Sequence, residues 1–137
     1  MFLIDTNVIS EARRGPRANF GVCDFFRAAD AGETFLAAIT LGELRRGVEK
    51  VGFLGDVSQA QLLTQWLESV EHNFVGRILP FDVDCAHVWG RLMVPHPQHP
   101  IDKQIAAIAL IHDLTVVTRN TADFDGTGVK LLNPFLA

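Results

Sequence analysis

Asp5, Glu43, Asp102 and Asp123 are the residues of this chain best suited to chemistry. They stand in four short segments: Ile4-Asp5-Thr6-Asn7, Thr40-Leu41-Gly42-Glu43-Leu44, Ile101-Asp102-Lys103-Gln104-Ile105-Ala106-Ala107 and Thr118-Arg119-Asn120-Thr121-Ala122-Asp123-Phe124. Each acid is expected where a strand ends or a helix begins. Gathered carboxylates repel unless a cation lies between them, and hard oxygen ligands suit Mg²⁺ or Mn²⁺. A carboxylate cage around such an ion is a common means of cutting a phosphodiester, because the ion polarises a phosphoryl oxygen and makes a water more acidic.

Each acid also has a purely structural reading. Asp5 can cap a helix or close an Asx turn. Thr40 and Glu43 have the spacing of a capping box. Asp102 falls in the first turn of a helix, where the macrodipole favours it by about 0.3–1 kcal/mol. Asp123 can be a turn residue. Their order and polar company along the chain favour the joint reading.

The elements that must position these acids follow from apolar periodicity. Phe2-Leu3-Ile4 reads as a buried strand, followed by a short helix over 8–14 that Gly15-Pro16 stops. A helix is expected over 20–29, a strand over 34–39, and a helix from Thr40 to about Lys50 that Val51-Gly52-Phe53-Leu54-Gly55 breaks. Residues 58–70 form an amphipathic helix through Leu62, Leu63, Trp66, Leu67 and Val70. A short strand over 77–80 and a helix over 82–93 precede a proline-rich loop, 94–100. The helix holding Ile105 to Ile111 is apolar on nearly every side and is expected to be central. Thr115-Val116-Val117 and Val129 to Leu132 are the last strands, with a turn at Asp125-Gly126-Thr127-Gly128 between them. Strands alternating with helices imply a parallel sheet covered on both faces, with ligands bound beyond the carboxyl ends of its strands.

Composition narrows the function classes. The chain has 137 residues, enough for one domain over 1–137, with 48% hydrophobic and 20% charged residues. Its apolar runs are too short for a signal peptide or a bilayer span, so a cytoplasmic location is expected. Cys23 and Cys85 lack metal-type spacing and read as buried free thiols. Formal net charge is −4, which argues against broad electrostatic capture of nucleic acid. Without the four carboxylates the balance is −4 + 4 = 0. Arg13, Arg14, Arg45, Arg46 and Arg119 lie near the acidic segments and either contact phosphates or pair with Glu11 and Glu49.

Other chemistries fit less well. His96 and His99 stand three apart in the proline-rich loop, but a zinc site wants more nitrogen or sulfur ligands, so they read as metal-free loop histidines. A haloacid-dehalogenase-like phosphatase places a second aspartate where Asn7 stands. No Walker loop or dinucleotide glycine fingerprint is present.

Over essentially its whole length the chain resembles the PIN-domain ribonucleases, and among them the VapC-type toxins of bacterial toxin–antitoxin pairs. The residues that carry the resemblance are Leu3-Ile4-Asp5-Thr6-Asn7, Thr40 with Glu43, Asp102 with Ile105-Ala106-Ala107, Thr118-Arg119-Asn120 with Asp123-Phe124, and Leu132-Asn133-Pro134-Phe135. The resemblance implies a three-layer α/β/α sandwich with a central, mainly parallel sheet, and Mg²⁺- or Mn²⁺-dependent endonucleolytic cleavage of RNA. It implies that Asp5, Glu43 and Asp102 hold the principal metal. Asp123 completes the cluster through water, through a second ion or as proton acceptor. Thr6, Asn7, Thr118 and Asn120 are its polar support, and Arg13, Arg45, Arg46 and Arg119 are expected RNA contacts. A cognate antitoxin that can place a basic side chain in the acidic pocket is implied, as is homodimerisation, with DNA met only through the antitoxin and no membrane. Phe20, Phe25, Phe26, Leu62, Leu63 and Trp66 are either core or the lining of a partner groove. The rival reading is a catalytically silent module of a transcription-regulatory complex, whose acids merely cap helices.

Overall fold

A computed structural model describes residues 1–136. Five strands form one sheet in the order β3-β2-β1-β4-β5, and every pairing is parallel. They are β1 (Phe2–Ile4), β2 (Thr34–Ala37), β3 (Ile78–Leu79), β4 (Thr115–Val117) and β5 (Lys130–Leu132). Six α-helices connect them: α1 (Thr6–Ala12), α2 (Phe20–Ala28), α3 (Ala38–Phe53), α4 (Val57–Asn73), α5 (Val83–Leu92) and α6 (Pro100–His112). The α/β/α expectation is met, and the sheet is parallel throughout the described residues.

Side chains on successive strand residues point to opposite faces, and this divides the core in two. Leu3 and Val116 pack with Ile105, Ile108 and Phe124 on the α5–α6 side. Their neighbours Ile4 and Val117 pack with Val8, Val22, Leu44 and Leu67 on the α1–α4 side. Ile105, Ala106, Ala107, Ile108 and Ala109 are all fully buried, as an all-round apolar helix demands. Each isoleucine withdrawn from water in this way contributes about 1.5–3 kcal/mol.

Strand order supplies the site. From β1 the chain moves outward to β2 and β3, then returns to the other side of β1 for β4 and β5. The direction reverses between β1 and β4, a topological switch point where the flanking crossovers diverge and leave a crevice at the carboxyl ends. Ile4 pairs with Val117, so Asp5 and Thr118 emerge side by side there.

Two local expectations are corrected. α3 begins at Ala38, directly after β2, with Ala37 at the N-cap position and no side-chain cap. Thr40 therefore lies inside the helix, fully buried, and its hydroxyl finds no partner among the described residues. The capping box does not form, because β2 runs into α3 without a connecting loop. α3 also continues through Gly52 to Phe53, and the stop comes at Gly55, whose φ of +102° favours glycine. The two cysteines are free thiols as expected, Cys85 buried and Cys23 partly so.

Candidate metal centre

Asp5 is the buried base of the crevice, only 4% exposed. It caps α1 by accepting from the Thr6 amide on Oδ1 at 2.8 Å. On Oδ2 it accepts from the Thr118 hydroxyl at 2.8 Å and the Asn7 amide at 3.3 Å. The cap expected from sequence and the proposed ligand are thus one group, since a carboxylate offers about four lone-pair directions. Burial pushes the Asp5 pKa up, opposed by the hydrogen bonds from Thr118, Thr6 and Asn7, and the charge of Asp123 adds to the rise.

The four polar residues expected to support the acids make hydrogen bonds of different kinds around them. The Thr6 hydroxyl donates to Glu43 Oε1 at 2.6 Å, tying the second turn of α3 to the start of α1. Asn7 accepts the Arg119 amide at 3.0 Å, pinning the loop after β4. Thr118 accepts the Asn120 amide at 3.0 Å. Asn120 acts through its backbone, since its carbonyl also receives the Asp123 amide at 3.1 Å. Asp123 then sits on a single turn, Thr121–Phe124, anchored by the buried Phe124 ring.

Asp102 lies in the first turn of α6 with its side chain 26% exposed. Its pKa rises to about 6: burial is the largest cause, the charges of Asp5, Asp123 and Glu43 add to it, and His99 opposes it. All four acids of the sequence pattern therefore share one electrostatic neighbourhood. Among the described residues, no lysine or arginine pairs with any of them. Converging carboxylates without a fixed counter-charge are the donor set a hard divalent cation requires, so the residues present fit such an ion.

The closest convergence is nevertheless a different trio. Single ligand atoms of His99, Asp102 and Asp123 all lie within 4.8 Å of one another. His99 was expected to be an idle loop histidine. The signal that could have found it is its place one residue before Pro100, which opens α6, and three before Asp102.

The arginines divide. Arg14 and Arg45 pair with Glu11 (3.2 Å) and Glu49 (3.8 Å), as the structural reading allowed. Arg13 lies over the Trp66 ring at 6.0 Å, beside a hollow of about 240 Å³ that also touches Thr6 and Glu43. Arg119 stacks on Phe135 at 5.0 Å, and Arg46 is exposed. Among the six large apolar residues of α2 and α4, Phe20 and Leu62 are exposed at 72% and 61%. Phe25, Phe26, Leu63 and Trp66 are half-buried against the α1–α4 core.

A family model for the PIN domain matches residues 2–130, a span that contains all four acids and their supports. The chain belongs to the PIN-domain family. Toxin FitB of Neisseria gonorrhoeae is 38% identical over 141 residues, covering 98% of this chain and 99% of that protein. The VapC ribonuclease Y4jK of Sinorhizobium fredii is 32% identical, covering 98% of each. Among solved structures, FitAB bound to an IR36 DNA fragment superposes with a TM-score of 0.85 at 35% identity, covering 98% of this PIN domain and 96% of that chain. No helix among the described residues is long and apolar enough to cross a membrane.

Proposed function

We propose that this PIN domain is a metal-dependent endoribonuclease, the toxin of a toxin–antitoxin pair, acting in the cytoplasm. One observation supports the reading: the charges of Asp5, Asp123 and Glu43 all bear on Asp102, and among the described residues no lysine or arginine pairs with any of the four. Asp5, Glu43 and Asp102 would hold Mg²⁺ or Mn²⁺. A bound ion supplies positive charge where phosphoryl charge develops and a more acidic water to attack there. Thr6 and Thr118 keep Glu43 and Asp5 aimed before any ion arrives, so little ordering cost remains at binding. Asp123, whose carboxylate faces His99 Nε2 at 3.6 Å, accepts a proton from the attacking water or serves a second ion. Arg13, Arg46 and Arg119 contact RNA phosphates; Arg45 joins them when it leaves Glu49.

The partner is an antitoxin. The hollow beside Arg13, Trp66 and Glu43 continues into a second of about 180 Å³ that shares Arg13 and Trp66. This groove runs past the half-buried Leu63 and Trp66 of α4 to Thr6 and Glu43, and it fits a segment carrying apolar anchors and one basic side chain. DNA is met through that partner, in keeping with the net charge of −4.

The test is brief expression followed by end-mapping of total RNA, with Asp5→Ala as control. Discrete new ends that need Mg²⁺ or Mn²⁺, vanish with EDTA and are missing from Asp5→Ala support the reading. Ends that persist in EDTA or in Asp5→Ala refute it. A silent DNA-complex module would yield no ends and gain no thermal stability from millimolar Mn²⁺.

A further inference from the structure

His99 has no task in the function just proposed, yet its ring stands between two of the four carboxylates. Nδ1 is 3.8 Å from Asp102 Oδ2, and Nε2 is 3.6 Å from Asp123 Oδ1. Both separations are too long for hydrogen bonds. They involve opposite ring nitrogens, of which one ion takes only one; counted with a single ligand atom each, His99, Asp102 and Asp123 lie within 4.8 Å of one another, close to the about 3–4.2 Å between donors that are each about 2.1 Å from a metal.

The ring is held there by construction. His99 adopts φ 54°, ψ 57°, a left-handed conformation uncommon outside glycine, in which Asn, Asp and His are the enriched side chains. Its carbonyl accepts the Lys103 amide at 3.0 Å, and Pro100 opens α6 immediately after it. Lys103 is buried at 5% exposure, and its ammonium donates to the carbonyls of His96 and Gln98, the latter at 2.6 Å. The 96–99 loop is thereby tied to the same helical turn that carries Asp102.

We propose that His99 is a metal ligand, joining Asp102 and Asp123 to make one side of the cluster a mixed nitrogen–oxygen site. An imidazole donor moves preference away from Mg²⁺ toward Mn²⁺, Co²⁺ or Ni²⁺. The proposal rests on the reading of the carboxylates as a metal centre.

Pulsed electron paramagnetic resonance of Mn²⁺ added to the purified protein reads ligand nitrogen directly, and calorimetric titration gives the affinity. The variants are His99→Asn and His99→Gly, both of which accept the left-handed backbone. Melting in EDTA verifies that they fold. The expected result is ¹⁴N coupling in the wild type that both variants lose. Mn²⁺ affinity should also fall by about tenfold or more, at least the loss that outer partners of metal ligands cause, with a smaller change for Mg²⁺. Mn²⁺ bound to wild type without nitrogen coupling overturns the proposal and leaves the carboxylate reading standing. So does unchanged or tighter binding by His99→Gly, which would make the ring a counter-charge only. A wild type that binds no Mn²⁺ overturns both.

Discussion

Asp102→Asn should stabilise the metal-free protein at neutral pH. The Asp102 carboxyl is raised from an ordinary value near 3.8 to about 6 by burial and by Asp5, Asp123 and Glu43. Between about pH 4 and 6 the unfolded chain has released this proton while the folded chain still holds it. The folded state therefore loses stability as pH rises through that window and carries the full cost above it. A rise from 3.8 to about 6 corresponds to about 3 kcal/mol. The side chain is 26% exposed, so solvent screening reduces this to about 2 kcal/mol. Asparagine also forfeits a favourable charge at the α6 N-terminus, about 0.5 kcal/mol. The net expectation is a gain of about 1–2 kcal/mol at pH 7.5, or roughly 3–8 °C in Tm for a chain of this size. Thermal melts in EDTA at pH 4 and pH 7.5 measure it, and the gain should vanish at the lower pH. Added Mn²⁺ should reverse the ranking, because an ion between the carboxylates stabilises the wild type alone. An Asp102→Asn protein less stable than wild type at pH 7.5 in EDTA would refute the reasoning.

Two further substitutions probe the supports. Thr118→Val keeps the side-chain shape but removes the hydroxyl that donates to Asp5 and accepts from Asn120. It should cost about 1–3 kcal/mol in urea denaturation and lower Mn²⁺ affinity about 10- to 100-fold; wild-type affinity would show that Asp5 needs no such clamp. Lys103→Met leaves the carbonyls of His96 and Gln98 without their buried donor. The expected loss is about 1.5–3 kcal/mol, and hydrogen exchange of the 94–100 loop should quicken; unchanged protection would show the loop holds itself.

Much of the fold was legible because parallel strands and their covering helices leave strong patterns. Leu3 and Ile4, like Val116 and Val117, read as continuous apolar runs since both faces of the sheet are buried. The places of Asp5 and Thr118 were legible because a parallel sheet delivers its strands' carboxyl ends to one edge. Thr40 misled because capping-box spacing is a local signal, while the start of α3 is set by where β2 stops pairing. Glu43, no longer at a capping position, reaches across to Thr6, 37 residues away in sequence, which no local rule foretells. His99 was weighed only with His96 as a zinc pair, because Asp123, which its ring faces, lies on a turn beyond the next strand, and proline-rich loops carry no periodicity.

The central claim is that these carboxylates hold a divalent cation. An anomalous difference map from crystals grown with Mn²⁺ tests it most directly. The account predicts a peak within about 2.5 Å of carboxylate oxygens of both Asp5 and Asp102, in the crevice between β1 and β4. A well-ordered crevice with no peak, or Mn²⁺ bound only elsewhere on the surface, would contradict it.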